Sequence, residues 1–270
     1  MNGYPAAADA HDQACERVGS LFTSLWLRHY VRSKLRSDPA FLLAYELLRD
    51  TKMPIFDLGC GVGLFSFYLR ERGLERPITG IDIDTRKVAR AQAVVERSKY
   101  DRLQFIANDV APELPSFRGN IVLFDLLHYL APTQQQSLLK QIAAQIAPGA
   151  LLLCRDCPRD GSARFRATYA AEVFAQTISW NWRAPLHFPT AESINAAFPA
   201  DEFSREVRPA WGRTPFNNHL FIFRRATSGA APPTESQIGI HADSAAATST
   251  PDSADRSQDR VRSGGLRAGG

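Results

Sequence analysis

Residues 54–63, PIFDLGCGVG, set an aspartate before three glycines at alternate positions, Gly59, Gly61 and Gly63. An apolar run enters this turn, and LFSFYLRERG leaves it as a helical pattern that ends at Gly73. Such a turn is built to hold a nucleotide-like ligand. Gly59 permits the sharp turn, Gly61 lets a ligand approach bare backbone, and Gly63 lets the helix pack close to the strand. The helix's free N–H groups and its dipole then point at the ligand. The next apolar run ends in GIDID, which puts Asp82 about twenty residues past the last glycine, where a carboxylate accepts hydrogen bonds from two adjacent ribose hydroxyls. After the third run, FIANDV places Asp109 where an adenine amino group can donate to it. A dinucleotide pyrophosphate is usually held by G-x-G-x-x-G. The spacing here is G-x-G-x-G, and the negative Asp57 entering the turn suits an ammonium group better than a pyrophosphate.

The elements that must position these residues follow from periodicity. Strands are expected at 54–58, 77–82, 103–107, 120–125, 149–154 and 219–224, with a weaker one near 203–207. Helices are expected near 63–72, 84–98, 132–147, 161–177 and 190–198. Strands alternating with helices of this length imply crossover units and a mostly parallel sheet covered on both faces. Ligands of such sheets bind beyond the C-terminal strand ends, where strand order switches. Asp84, directly before TRKVARAQAVV, is expected as a helix N-cap. Residues 15–50 read as helical: Val18, Leu21, Phe22, Leu25 and Trp26 keep amphipathic spacing, and SDPAFLLAYELLRD starts a helix with Ser37 or Asp38 as N-cap and Pro39 in the first turn.

At this point the chain resembles the class I S-adenosylmethionine-dependent methyltransferases. DLGCGVG at 57–63 looks like their first motif, GIDID at 80–84 like the acidic motif, and ANDV at 107–110 like the adenine-contacting one. NIVLFDLLHYL at 120–130 is similar to the segment closing the site after strand four, and APGALLLCRD at 147–156 to the turn before strand five. The resemblance covers about 53–225. It implies an α/β, Rossmann-like, doubly wound sheet of seven strands with the last antiparallel, and S-adenosyl-L-methionine as cofactor. Gly59, Gly61 and Gly63 would line the methionine and ribose end. Asp82, with Ile83 beside it, would hold the ribose, Asp109 and Val110 the adenine, and Asp57 the turn and the amino group. WLRHYVRSKLRSDPAF resembles small-molecule methyltransferases of bacterial natural-product clusters, including those of aryl polyene pathways.

The implied reaction displaces the sulfonium methyl in line, so the protein has to align a nucleophile, exclude water and manage one proton. An imidazole can accept that proton. Of six histidines, His128 follows strand four and is the candidate base or substrate contact; a packed helix start is the alternative. Tyr129 beside it, Tyr30 in the N-terminal helices, and Trp182 and His187 in SWNWRAPLHFPT are candidate substrate contacts. His219 reads as a strand-end residue, and His11 and His241 lie outside the candidate site. Tyr30, Arg32 and Lys34 could reach the cofactor carboxylate, an anionic substrate or an acidic carrier protein, or simply form a solvated basic face.

The domain reading is a helical cap at 1–52, a methyltransferase domain at 53–226 with an insert at about 158–189, and a disordered tail at 227–270. More than half of that tail is Ser, Gly, Ala, Pro and Thr, and its few apolar residues show no periodicity. A net charge of +4 lacks the dense basic stripe of a nucleic-acid protein. No apolar run approaches the roughly 18 residues of a bilayer span, and the N-terminus lacks the pattern of a secretory signal, so a cytoplasmic enzyme with no stable membrane insertion is expected. Cys154 and Cys157 form a C-x-x-C without the companion ligands of a zinc site, and no metal is expected. The segment after strand four has no prolines, which disfavours methylation of base amino groups or glutamine amides. The leading expectation is O-methylation of a small apolar or aromatic acceptor, free or carrier-bound. N- or C-methylation, an NAD-dependent oxidoreductase and a non-catalytic interaction module are the alternatives.

Overall fold

A computed structural model of the chain describes residues 4–178 and 185–227. One unit, Met1–Pro233, holds every described element; the second unit, Thr234–Gly270, lies outside the described residues, as does the expected tail from residue 228 on.

Three helices come first: α1 (Tyr4–Ser20), α2 (Leu25–Ser37) and α3 (Pro39–Leu48). Then follow β1 (Ile55–Leu58), α4 (Leu64–Glu71), β2 (Ile78–Asp82), α5 (Thr85–Ser98), β3 (Leu103–Ala107) and β4 (Asn120–Phe124). A single 3-10 turn, Leu127–Tyr129, leads to α6 (Pro132–Gln145), β5 (Leu151–Asp156), α7 (Ala163–Ile178), α8 (Ala191–Asn195), β6 (Phe203–Pro209) and β7 (His219–Arg225). The seven strands form one sheet in the order β3-β2-β1-β4-β5-β7-β6. β7 runs antiparallel to both β5 and β6, and the other pairs are parallel. This is the expected Rossmann-like sheet with its antiparallel last strand. Strand order reverses between β1 and β4, which puts the crevice at their C-terminal ends.

Alternation along the strands makes two cores. In β4, Val122 faces a cluster built from α1–α5, while Ile121 and Leu123 face one built from α6, α8 and the outer strands. Helix starts match their capping chemistry. Asp38 caps α3 by accepting from Ala40 N at 3.0 Å, with Pro39 at the first helical position, and Asp84 caps α5 by accepting from Arg86 N at 3.0 Å.

The boundaries differ from expectation in two informative places. α1 begins at Tyr4, well before the helical pattern at 15, because its inner face is anchored by polar contacts as well as apolar ones. The His11 Nδ1 lies 2.7 Å from the Tyr68 hydroxyl on α4, and Arg17 pairs with Glu71 at 2.5 Å. β5 runs to Asp156, two residues past the expected strand, because Arg155 and Asp156 find buried partners and so extend the ladder. No described helix is long and apolar enough to cross a membrane.

Candidate active site

The glycine turn leaves β1 beside β2. Gly59 N and Cys60 N both donate to Ile81 O, at 2.8 and 3.0 Å, which pins the turn to the neighbouring strand. Gly59, Gly61 and Gly63 have φ of 74°, 58° and 80°, a left-handed backbone that L side chains resist. Their surroundings separate their roles. A Cβ on Gly63 would meet the Phe105 ring at 2.4 Å, so this glycine is required by packing. A Cβ on Gly61 would meet nothing within 4 Å, so its bare backbone faces open space of the kind a ligand occupies. Gly63 is the N-cap of α4 and supplies no side-chain acceptor, so of the helix's first N–H groups Ser66 N turns to the Asp57 carboxylate and the two before it are left for another partner.

Asp82, at the end of β2, ties the turn together: Oδ2 accepts from Gly61 N and Oδ1 from Asp84 N, both at 2.8 Å. Each oxygen keeps a lone pair for a hydroxyl. Ile83 next to it is 68% exposed, an apolar face with nothing on it. Asp109, at the end of β3, is exposed, and its Oδ1 accepts from Ala111 N at 2.9 Å; Val110 is buried beneath. Asp57 is buried under the turn and accepts from the Ser66 hydroxyl at 2.7 Å. Burial pushes its carboxyl up to about 6, partly opposed by the Ser66 bond.

The second half of the site lies beyond β4 and β5. His128, on the 3-10 turn, is buried, and its Nδ1 lies 3.0 Å from Asp156 Oδ1 at the end of β5. Burial acts to lower the imidazole, but the Asp156 carboxylate, with Asp125 and Glu172 further off, overrides it and raises the group to about 9. His128 Nε2 and Asp156 Oδ2 are buried without hydrogen-bond partners among the described residues. One face of the His128 ring stacks on Phe188, with centroids 5.1 Å apart and planes 11° off parallel.

The structure spreads the other candidate contacts unevenly around His128. The Tyr129 hydroxyl donates to Glu172 Oε2 on α7 at 3.1 Å. His187 N donates to His128 O at 2.8 Å, so 187 is held against the 3-10 turn. Tyr30 is exposed on α2 and stacks on Trp26, 5.5 Å between centroids. Trp182 lies outside the described residues. The basic positions of α2 turn out to be engaged within the fold. Arg32 pairs with Glu16 at 2.8 Å, Arg36 with Glu16 at 2.8 Å, and Lys34 reaches Asp125 at 3.4 Å and Asp38 at 3.6 Å. His219 Nδ1 lies 3.0 Å from Asn217 O, a strand-end contact as expected.

Two features escaped the sequence. The first is Asp156, whose pairing with His128 joins residues 28 apart and whose position lay past the expected end of β5. The second is an ion network around Arg155, which is fully buried. Its guanidinium is paired with Asp38, the N-cap of α3, and takes both oxygens of Asp125, with Nε at 2.9 Å from Oδ1. Arg155 thereby clamps the N-terminal helices to the ends of β4 and β5. The signal present in the sequence was a charged pair, RD, at the end of an apolar run.

A larger cavity of about 530 Å³ opens at the opposite edge of the sheet, between Lys52, Glu75 and Arg102. Its lining residues precede β1, β2 and β3, so it is remote from the glycine turn.

Comparison with known proteins places this geometry. Magnesium protoporphyrin IX methyltransferase (ChlM) from Synechocystis PCC 6803, solved with bound S-adenosylhomocysteine, superposes with a TM-score of 0.56 at 16% identity, covering 83% of this chain and 100% of that one. The PH0226 protein from Pyrococcus horikoshii OT3 gives 0.53 at 17% identity, covering 72% and 90%. An enzyme that converts a disulfide bond into a thioacetal group during echinomycin biosynthesis gives 0.51 at 19% identity, covering 71% and 83%. These likenesses share the fold. The family model described as a methyltransferase domain matches residues 27–206, most of the described chain, from the helical cap through β6. This chain therefore belongs to the methyltransferase domain family, as a class I S-adenosylmethionine-dependent methyltransferase.

Proposed function

We propose that the protein transfers the methyl group of S-adenosyl-L-methionine to an oxygen of a small apolar or aromatic acceptor, and that His128, held by Asp156, receives the acceptor's proton. The donor fits the residues present. Gly61 offers an open, side-chain-free approach, Asp82 has lone pairs left for the ribose hydroxyls, and exposed Ile83 offers a face for the adenine ring. Asp109 offers its second oxygen to the adenine amino group, and the buried charge of Asp57 under the turn favours a cationic amine nearby. S-adenosylmethionine would supply an already activated methyl group on a sulfonium.

The observation that carries the acceptor chemistry is the buried His128–Asp156 pair with an unpartnered Nε2. A carboxylate on Nδ1 fixes ring orientation and the proton's position, leaving Nε2 to act. A buried nitrogen without a partner costs roughly 1–3 kcal/mol, and a hydroxyl from an acceptor would remove that cost. Two consequences follow from the geometry. His128 must lose a proton before it can take one, so the reaction needs pH near or above the imidazole's raised value. The Phe188 ring covers one face of the imidazole, which shields that side of the base from water and leaves Nε2 to be approached in the ring plane. α2 and α7 serve as the cover, since Lys34 and Glu172 already reach the ends of β4 and the 3-10 turn.

The test is labelled methyl transfer from S-adenosylmethionine to a panel of phenols and aromatic acids, in the natural protein and in His128→Ala. Oxygen methylation in the first, reduced at least a hundredfold in the second, is expected for a lost general base. Transfer to nitrogen or carbon alone, or full activity in His128→Ala, overturns the proposal.

A further inference from the structure

Phe188 separates His128 from a cavity of about 370 Å³. Its walls are Phe165 and Tyr169 from α7, Leu186, His187 and Phe188 from the segment after it, and Pro132 at the start of α6. The rings interlock: Phe165 meets Phe188 edge-on at 5.4 Å, and Tyr169 lies 6.0 Å from it. The lining is therefore aromatic and stiff. Ligand sites for small molecules begin at roughly 300 Å³, so this one is of a size to receive a small aromatic molecule.

Among the described residues, Arg159 brings a guanidinium to this cavity, beside the imidazole of His187. The Arg159 side chain is exposed, with no hydrogen bond or ion pair to a described residue. Its backbone is fixed, because Arg159 N donates to Pro189 O at 2.8 Å. The adjacent acid is committed elsewhere: Asp160 Oδ1 accepts from Ser162 N at 2.9 Å and Oδ2 from Asn217 Nδ2 at 2.9 Å. Arg32, Arg36 and Arg155 are engaged in ion pairs and Arg28 donates to Phe22 O, whereas Arg159 faces the cavity with its fork of donors unused. A guanidinium in that position matches a carboxylate in two parallel hydrogen bonds.

We propose that this cavity is the acceptor subsite and that it takes the body of an aromatic carboxylate, ring against the wall of Phe165, Tyr169 and Phe188, carboxylate on Arg159. The inference deepens the methyl-transfer reading above and rests on it for the ligand's being the acceptor. The anchoring carboxylate sits at the rim, so the oxygen to be methylated is at the other end of the molecule, toward His128.

The experiment titrates 2-naphthoate and its neutral twin 2-naphthamide into the full chain, reading ligand fluorescence, with S-adenosylhomocysteine affinity measured calorimetrically on the same samples. The naphthoate is expected to bind at least tenfold more tightly than the amide. Arg159→Gln should abolish that preference, Arg159→Lys should retain part of it, and Tyr169→Ala should weaken both ligands alike, all with unchanged S-adenosylhomocysteine affinity. Equal binding of the two probes, no binding of either, or a preference that survives Arg159→Gln overturns the inference. A natural protein that binds naphthoate but not S-adenosylhomocysteine sinks the methyl-transfer reading and leaves the carboxylate site standing.

Discussion

Replacing Asp156 by Asn separates what the carboxylate does to the charge of His128 from what it does to its orientation. With the imidazole at about 9 against an ordinary 6.5, burial and the partners together give a net rise of roughly 2.5 pH units, or about 3 kcal/mol at 1.36 kcal/mol per unit. At about pH 7.5 only some 3% of His128 is then neutral and able to accept a proton, by the simple titration of a group near 9. The natural protein should therefore show kcat/KM for the acceptor rising tenfold per pH unit from neutrality and levelling near pH 9. Asp156→Asn removes the largest raising influence while burial still lowers the group, so its rising limb should move down by about two units. Its plateau should also fall by roughly 10²–10⁴, because an amide on Nδ1 no longer holds the tautomer and ring that a carboxylate does. Stability carries the same signature. His128 has a folded value raised above its unfolded one, so its contribution of roughly 3 kcal/mol is complete below about pH 6.5 and is lost as pH rises through about 9. Methyl-transfer rates and melting temperatures across that range read both. A flat profile in the natural protein, or the same limb in Asp156→Asn, would refute the reasoning.

Other outcomes test other parts of the account. Asp57→Asn keeps the shape beside Ser66 but removes a charge whose folded value is raised to about 6; that raised acid favours the fold below about pH 4 and costs roughly 3 kcal/mol once pH passes 6. The variant should accordingly melt higher than the natural protein near pH 8 and bind S-adenosylhomocysteine more weakly; a lower melting temperature there contradicts the assignment. Asp82→Ala should weaken that ligand by roughly 1.5–3 kcal/mol, since it removes charge-assisted bonds and frees Gly61 N; calorimetry showing no change contradicts the ribose role. Arg155→Met leaves Asp38 and Asp125 without their main cation and should cost roughly 3–5 kcal/mol in denaturant unfolding. Removing 234–270 should leave melting temperature and binding unaltered, as that low-complexity composition offers little to pack.

The glycine turn and its neighbouring acids were legible because their requirements are local. Left-handed turns need glycine, the carboxylate proposed for the ribose sits one helix further on, and Asp84 and Asp38 cap helices that begin at the next residue. Those features act through neighbours in sequence, so spacing reveals them. The surroundings of His128 depend on contacts between distant segments. Asp156 meets His128 across two strands, Arg155 meets Asp38 across 117 residues, and Phe188 reaches His128 from the insert. Charged residues inside an apolar run read as the end of a strand, whereas here burial with partners carries β5 through both. The ion pairs of α2 were hidden for the same reason, as its partners Asp12 and Glu16 lie on a helix whose first half showed no clear apolar period.

The most direct test of the central claim is calorimetric titration of S-adenosylhomocysteine, with NAD as control, into the natural protein and Gly61→Ala. The added methyl meets no protein atom within 4 Å, so it should cost only the roughly 1–2 kcal/mol of a left-handed alanine in stability, while occupying the space the ligand needs. Micromolar binding of S-adenosylhomocysteine but not NAD, lost at least tenfold in a folded Gly61→Ala, is the predicted result. Tight binding of NAD alone, or unchanged affinity in Gly61→Ala, would contradict the account.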